Sequence, residues 1–274
     1  MTDLASIVFT LTASADTKLP PANARILHGA LLRWLERDQT ELVALLHDAN
    51  YQRPYTLSDL HGCLEEKNGW LKIPQGETYW YRLTGIEAHF IQCLLTSMRQ
   101  QKAGPQPDDP KLVPGPAFVL PEEHPSAQLS SFAQIIEGVR QQSQRRELSP
   151  SVALRFDSPT CFIENKQALP LPVPRFVFGY LTNKWQLASP VALPVEDVQH
   201  FVESIHLSYA RIETRIVDLQ KYKRTGFTGE CRFALHPARP ENYRQALHLL
   251  AEFAFFSGVG SHTTMGLGQA RQKR

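Results

Sequence analysis

One order of strand-like and helix-like segments occurs twice along the 274-residue chain, and it restricts the fold more than any other feature. Near the N-terminus, "SIVFTLTA" is rich in β-branched residues, and "NARILHGALLRWLERD" then has apolar residues at helical spacing, with Asn23 in the position of an N-cap. Two strand-like runs, within "RPYTLSDLHG" and "ETYWYRLTG", precede another helical run, "IEAHFIQCLLTSMRQQK". The order β-α-β-β-α is most of a ferredoxin-like unit.

The second half of the chain repeats this order. A strand in "SVALRFDSPTCFI" precedes an aromatic-rich helix in "PRFVFGYLTNKW", and "HLSYARIETRIVDL" and "TGFTGECRFAL" alternate as paired strands do. A helix in "PENYRQALHLLAEFAFFSG" and a final strand in "TTMGLGQARQ" follow. Between the two halves, from Gly104 to Pro125, the sequence is dominated by prolines and charged residues. We therefore predict an α+β fold of two tandem ferredoxin-like (RRM-like, βαββαβ) domains, 1–125 and 126–274.

Composition excludes several classes of protein. No run of about eighteen apolar residues offers a membrane span, and the N-terminal segment lacks the basic residues that begin a signal peptide. Cys63, Cys93, Cys161 and Cys231 have no paired spacing, so neither a disulfide scaffold nor a zinc site is predicted, and we expect a cytoplasmic protein. The net charge of +2 does not by itself indicate a nucleic-acid partner.

Four glycines, Gly258, Gly260, Gly266 and Gly268, are concentrated in "FFSGVGSHTTMGLGQAR". Glycine lets backbone N–H groups approach an anion, so this segment could cradle phosphate. It lacks the Gly-Lys-Ser/Thr ending of a P-loop, and it follows a helix, whereas a Rossmann fingerprint follows a strand. No nucleotide cofactor is therefore predicted. The alternative is structural, with Gly258 capping the helix and the other glycines forming a tight turn.

The same segment resembles the C-terminal glycine-rich signature of the CRISPR-associated repeat-processing endoribonucleases, the Cas6 family of the RAMP superfamily. "LRFDSPTCFI", "LPLPVPRFVFGYL" and "RTGFTGECRFAL" are similar to the C-terminal half of that family in the same order, and "ILHGALLRWL" with "LVALLHD" is similar to its first helical region. The resemblance implies that the glycine loop lies near bound repeat RNA. Valine at Gly260 or Gly266 would then weaken RNA binding far more than thermal stability.

The resemblance also implies an activity: cleavage of precursor CRISPR RNA within each repeat, without metal, by 2′-hydroxyl attack that leaves a 2′,3′-cyclic phosphate and a 5′-hydroxyl. Such chemistry needs a base, an acid and positive charge. "LLHDANYQR" matches the family's Leu-His-acid pattern before a loop with a cation, which implies His47 as the catalytic histidine and Tyr51 and Arg53 as helpers. His28 is the second candidate. Each histidine also has a non-catalytic alternative. His47 could be a solvated histidine at a helix end, and His28 could be a histidine at the edge of a buried helix face.

Basic runs offer an RNA-binding surface, although such runs are more often solvated faces when no family is considered. The basic candidates are Arg211, Arg215, Lys221, Lys223, Arg224, Arg145 and Arg146. His262, inside the glycine loop, is either an RNA contact or an exposed loop residue. The expected partners are CRISPR repeat RNA, in the form of a small hairpin, and other CRISPR effector subunits, with the chain a monomer or homodimer. The alternative function is a non-catalytic RAMP subunit that holds the processed end of the crRNA, and it would not need histidines at positions 28 and 47.

Overall fold

A computed structural model describes residues 2–48, 50–101, 103–219 and 222–273. The chain divides into two compact units, Met1–Leu129 with Thr264–Gly266, and Ser130–Thr263 with Leu267–Arg274. These limits differ from the predicted 1–125 and 126–274 in the exact position of the division and in the assignment of residues 264–266 to the first unit. None of the helices in the described ranges combines the length and the apolar character that a membrane span requires.

The first unit has the ferredoxin-like arrangement. Its elements are β1 (Leu4–Ala13), β2 (Thr17–Leu19), α1 (Ala24–Glu36), α2 (Thr40–His47), β3 (Tyr55–Leu57), β4 (Glu65–Lys67), β5 (Trp70–Ile73), β6 (Thr78–Gly85), α3 (Ala88–Gln101) and β7 (Leu112–Phe118). The sheet runs β3-β6-β1-β7 with antiparallel neighbours, which is the strand order of a βαββαβ unit. Between the predicted strands β3 and β6, the chain adds β4 and β5, which form with β2 a separate sheet in the order β2-β5-β4 that the sequence did not predict.

The core of this unit follows from two periodicities. Alternate residues of β1, among them Phe9, face one side of the sheet, and the apolar spacing of α1 delivers Trp34 to the same side. The ring of Phe9 stacks on Tyr81 at a centroid distance of 5.5 Å and meets Trp34 edge-on at 6.1 Å. Burying these large rings fixes the orientation of α1 on the sheet.

The start of α1 differs from the predicted cap. Asn23 occupies the N-cap position, but its side chain makes no capping bond; its Oδ1 accepts from the backbone N–H of Leu60 at 2.8 Å. Asp59 supplies the cap instead, because its Oδ1 accepts from the N–H of Ala24 at 2.7 Å. Burial raises the pKa of Asp59 to about 6, although the backbone N–H groups of Ala24 and Asn23 act in the opposite direction. The two reciprocal bonds join the start of α1 to the segment after β3.

The second unit repeats the arrangement. After β8 (Gln128–Ser130), at the junction of the units, come α4 (Phe132–Arg145), β9 (Ser151–Thr160), β10 (Phe162–Glu164), β11 (Gln167–Leu169), α5 (Pro174–Ala188), α6 (Val198–Glu203), β12 (His206–Asp218), β13 (Lys223–Ala234), α7 (Glu241–Ser257) and β14 (Ala270–Lys273). Its sheet runs β12-β13-β9-β14, again the ferredoxin-like order with antiparallel neighbours. The predicted α+β fold of two tandem ferredoxin-like domains is thus confirmed. The predicted final strand is shorter than expected, because Thr263–Met265 forms a 3₁₀ turn.

Candidate active site and RNA-binding surfaces

His47 lies at the end of α2, where the chain leaves the helix. Leu42, Val43 and Leu46 bury the inner side of this short helix, whereas His47 is exposed. Asp48 follows in extended conformation, and its Oδ1 accepts from the N–H of Asn50 at 2.8 Å, which turns the chain. An imidazole at this position is accessible to a large substrate.

The loop after His47 is anchored at two points. The hydroxyl of Tyr51 donates to Oε2 of Glu87 at 2.5 Å, and the carbonyl of Pro54 accepts from the N–H of Ile86 at 2.9 Å. Burial and the bond to Glu87 raise the pKa of Tyr51 well above its usual range. Tyr51 therefore holds the loop that carries the exposed Arg53, and its predicted part as a catalytic helper stays a prediction.

His28, the second histidine candidate, faces the same region from α1. Its Nε2 lies 2.7 Å from the hydroxyl of Tyr55, and the two rings stack with centroids 6.0 Å apart. Burial, followed by the charges of Arg53, His47 and Arg25, lowers the pKa of His28 to about 4. His47 and Arg53, predicted from a separate part of the sequence, therefore both interact electrostatically with His28.

Tyr55 is the member of this cluster that sequence reasoning missed. It begins β3, its ring is buried and stacks on Phe90 at 5.1 Å, and burial raises its pKa well above the usual range. A phenol that keeps its proton can donate to an unprotonated imidazole nitrogen. Tyr55 thus favours neutral His28 and fixes its ring, and no feature of the local sequence identifies this pairing.

The neutral state of His28 predicts a pH dependence of stability. Because its folded pKa, about 4, lies below the ordinary 6.5, the unfolded chain takes up a proton first as the pH falls, and the free energy of unfolding decreases through that window. Between about pH 7 and about pH 5, the wild type should lose about 1–2 kcal/mol more than His28→Gln in urea unfolding. Other titrating groups cancel in this comparison. Parallel pH profiles of the two proteins would contradict the assignment.

The glycine loop is packed tightly against its own protein. All four glycines are buried, and Gly258 ends α7 with φ of +62°. Gly260 has φ of +89°, and a Cβ there would lie 2.5 Å from the carbonyl oxygen of Cys161, while a Cβ at Gly268 would collide with the carbonyl oxygen of Val259. The alternative in which these glycines cap α7 and form a tight turn therefore has a direct physical basis.

Gly266, which belongs to the first unit, has a similar constraint. Its φ is +90°, its N–H donates to the carbonyl of Leu57 at 3.0 Å, and an added Cβ would lie 2.6 Å from Oδ2 of Asp59. The expectation that valine at Gly260 or Gly266 spares thermal stability is therefore corrected: both changes must disturb the fold. Contact of the loop with RNA stays a prediction.

His262 is not an isolated loop residue. Its φ of +62° is unusual for a residue with a side chain, and its Nε2 lies 2.8 Å from the hydroxyl of Tyr222. The guanidinium of Arg224 lies over the ring of Tyr222, 4.3 Å from the centroid. Burial, followed by the charge of Arg224, lowers the pKa of His262. His262, Tyr222 and Arg224 therefore form a cluster. His262 and Arg224 were predicted as RNA-binding residues from the sequence, whereas Tyr222 was not.

The other predicted basic residues lie in two places. Arg211 and Arg215 are exposed on β12, and Lys223 begins β13, whereas Lys221 lies outside the described residues. Arg145 and Arg146 are exposed at the C-terminal end of α4.

Strand register adds four basic residues that sequence reasoning missed. Arg211 lies opposite Glu230, which lies opposite Arg155, which lies opposite Arg271, so one row crosses all four strands. Two residues along the strands, on the same side, come Arg232 and Lys273. We call this side of the sheet, away from the buried Leu154 and Phe156, the basic sheet face; its cations are Arg155, Arg211, Arg232, Arg271 and Lys273.

Ion pairs within the basic sheet face hold several of these side chains in place. Asp157 bonds Arg155 at 2.8 Å and Arg271 at 2.9 Å, and Glu230 bonds Lys273 at 2.6 Å. The cations remain about half exposed, so they can still meet phosphate. In the described part of the chain, no group of three or more histidine, cysteine or carboxylate side chains is placed to hold a metal ion.

Comparisons with known proteins agree with this geometry. The family model described as CRISPR-associated endoribonuclease Cas6 matches residues 154–270. The structure of a Cas6 product complex has 26% sequence identity to this chain and a TM-score of 0.80, and the match covers 98% of this chain and 100% of that chain. A Thermus thermophilus Cas6 has 26% identity and a TM-score of 0.72, and the match covers 100% of this chain and 99% of that chain. A Cas6-related protein from Pyrococcus furiosus, with 10% identity, a TM-score of 0.64 and coverage of 99% of both chains, shares the fold. No curated protein matches the sequence.

Proposed function

Because the chain belongs to the Cas6 family of CRISPR-associated endoribonucleases, we propose that it cuts precursor CRISPR RNA within the repeats, without metal, to yield guide RNAs. The observation that carries the chemistry is the cluster at the end of α2. There an exposed histidine, His47, and an exposed cation, Arg53, each lie within electrostatic reach of the neutral His28.

The proposed reaction is a transesterification. The 2′-oxygen forms a bond to the adjacent phosphorus, the bond from phosphorus to the 5′-oxygen breaks, and the products carry a 2′,3′-cyclic phosphate and a 5′-hydroxyl. His47 takes the proton of the 2′-hydroxyl and delivers it to the departing 5′-oxygen, and Arg53 stabilises the charge that develops on the phosphorane oxygens. His28, held neutral beside Tyr55, positions the cluster and adds no positive charge to it.

RNA binding is assigned to the second unit as well as to the cluster. The basic sheet face offers phosphate contacts, and Tyr222, with Arg224 and His262, offers a ring and hydrogen-bonding groups for an unpaired base. We propose a repeat hairpin as the substrate, since a folded RNA presents a stem backbone and unpaired nucleotides together. A reducing compartment such as the cytoplasm suits the chain, because all four cysteines are free thiols.

Incubation with repeat RNA in excess chelator tests the proposal. We expect one cut per repeat and a cyclic phosphate on the upstream fragment, with the rate unchanged by added divalent metal. The matched control is the same RNA with a 2′-deoxy nucleotide at the cut, which should bind equally but stay intact because it lacks the nucleophile.

Two results would overturn parts of this assignment. A strict need for divalent metal would remove the proposed mechanism. Tight binding of the repeat without any cleavage would favour the non-catalytic RAMP subunit that holds a processed crRNA end.

A further inference from the structure

The three-stranded sheet β2-β5-β4 turns one side towards solvent. Within β5, Leu71 and Ile73 are buried in the core of the first unit, whereas Trp70 and Lys72 are exposed. Successive side chains of a strand point to opposite sides of its sheet, so Trp70 and Lys72 share the outer side. Because this sheet is an addition to the βαββαβ unit, the fold itself does not account for what its outer side carries.

Strand register places three more charged residues on this outer side. Lys18 of β2 and Glu65 of β4 both lie opposite Lys72, and Lys67 lies opposite Trp70. Residues directly opposite each other on paired strands point to the same side of the sheet. We call this surface the lysine–tryptophan face; its members are Lys18, Glu65, Lys67, Trp70 and Lys72. Three lysines against one glutamate make it positively charged.

A tight turn joins the two strands that carry Lys67 and Trp70. Asn68 has φ of +55° and Gly69 has φ of +75°, the two positive angles of a type I′ turn, for which Asn-Gly is a preferred sequence. The two-residue loop places Lys67 directly opposite Trp70. A short hairpin therefore holds both side chains, and a ligand need not order a flexible loop in order to bind here.

The ring of Trp70 is exposed where tryptophans are usually buried. Its exposed fraction is 43%, whereas Trp34 and Trp185 are buried. The ammonium group of Lys18 lies over the ring, 4.6 Å from its centroid. An aromatic ring among lysines is the combination that binds single-stranded nucleic acid, because the ring stacks on a base and the ammonium groups contact backbone phosphates. Bases inside a duplex are already covered by their neighbours, so the ring favours unpaired nucleotides.

We propose that the lysine–tryptophan face is a second RNA-binding surface, which takes unpaired RNA without preference for sequence. Trp70 stacks on a base, and Lys67 and Lys72 contact the phosphates beside it. Glu65, which bonds Lys72 at 3.0 Å, weakens the attraction. The inference rests on the proposed function only in taking RNA as the partner of the chain.

Photocrosslinking of the full chain to a short oligouridine that contains 5-iodouridine locates the binding. We expect the peptide that contains Trp70 to be crosslinked, and the oligouridine concentration at half-maximal crosslinking of that peptide measures the affinity of the face. Oligouridine is neither a hairpin nor a repeat, and no cleavage is measured. Failure here therefore leaves the proposed function standing, and failure of repeat cleavage leaves this result standing.

Variants of the lysines and the glutamate test the charges of the face. Lys67→Gln combined with Lys72→Gln should raise the half-maximal concentration by about tenfold and reduce the salt slope by about 1.4, because each phosphate contact with a single strand contributes about 0.7. Glu65→Gln should lower the half-maximal concentration by up to about fivefold, a gain that misfolding cannot produce. Lys166→Gln, which removes an exposed lysine of the second unit, is the matched control and should change nothing.

Variants of Trp70 test the stacking. Trp70→Phe keeps an aromatic ring and should still crosslink, whereas Trp70→Leu keeps only the apolar character and should not. Far-ultraviolet circular dichroism checks that these exposed substitutions leave the fold intact. A wild type that crosslinks elsewhere but never at Trp70 would overturn the inference and leave the face to a protein partner. Equal half-maximal concentrations for the wild type and the double lysine variant would overturn it as well.

Discussion

Replacing His47 with alanine is expected to slow single-turnover cleavage of repeat RNA by about 10²–10⁴-fold and to leave RNA affinity nearly unchanged. The reason is its position: it is exposed at the end of α2, beside the loop that carries Arg53, and it contributes no buried packing. A proton-transfer group is needed in the transition state more than in the bound complex, so its loss appears in the rate. Rapid-quench kinetics with enzyme in excess, together with an equilibrium binding assay, would separate the two quantities.

Two further variants make this result specific. Arg53→Ala should lower both rate and affinity, because a cation near the scissile phosphate also attracts the ground-state backbone. His28→Gln should keep much of the rate, since its role is to pack beside Tyr55 as a neutral ring. Cleavage that survives His47→Ala but collapses with His28→Gln would reverse the assignment of the catalytic histidine. Cleavage that survives both would place the chemistry elsewhere in the protein.

The order of the elements was predictable because it rests on local periodicity. The apolar spacing of α1 specifies one buried side and the β-branched composition of "SIVFTLTA" specifies a strand, and both elements appear in the structure as predicted. The N-cap of α1 was not predictable, because the group that caps it, Asp59, comes from a segment 35 residues away in the sequence. A cap supplied by another segment leaves no local signal in the sequence. Asn23 has the residue type and position of an N-cap, but its side chain accepts a hydrogen bond from the N–H of Leu60.

The same distinction applies to the candidate site. His47 and Arg53 were found because they are close in sequence, within one helix end and one loop. The pairing of His28 with Tyr55 joins residues from α1 and β3, and the row from Arg211 to Arg271 depends on the order of four strands. Runs of basic residues along the sequence show only the cations of one strand. Strand register shows those that meet from different strands.

Gly260→Ala and Gly268→Ala are each expected to lower the free energy of unfolding of the protein by about 2–4 kcal/mol. Both residues have positive φ, which alone costs a side-chain residue about 1–2 kcal/mol. The added Cβ would also meet a backbone carbonyl oxygen, of Cys161 at Gly260 and of Val259 at Gly268, and backbone cannot move aside as a flexible side chain can. Urea unfolding monitored by circular dichroism measures the loss.

Gly138→Ala is the matched control for these two substitutions. Gly138 lies within α4, is exposed, and has no atom within 4 Å of an added Cβ, so alanine there should raise stability by about 0.5–1 kcal/mol through helix propensity. RNA affinity of the loop variants must then be measured under conditions in which they remain folded. Normal stability with lost affinity would mean that the glycines exist for close approach to phosphate. Lost stability with normal affinity of the folded fraction would mean that the loop needs its glycines in order to pack against its own backbone.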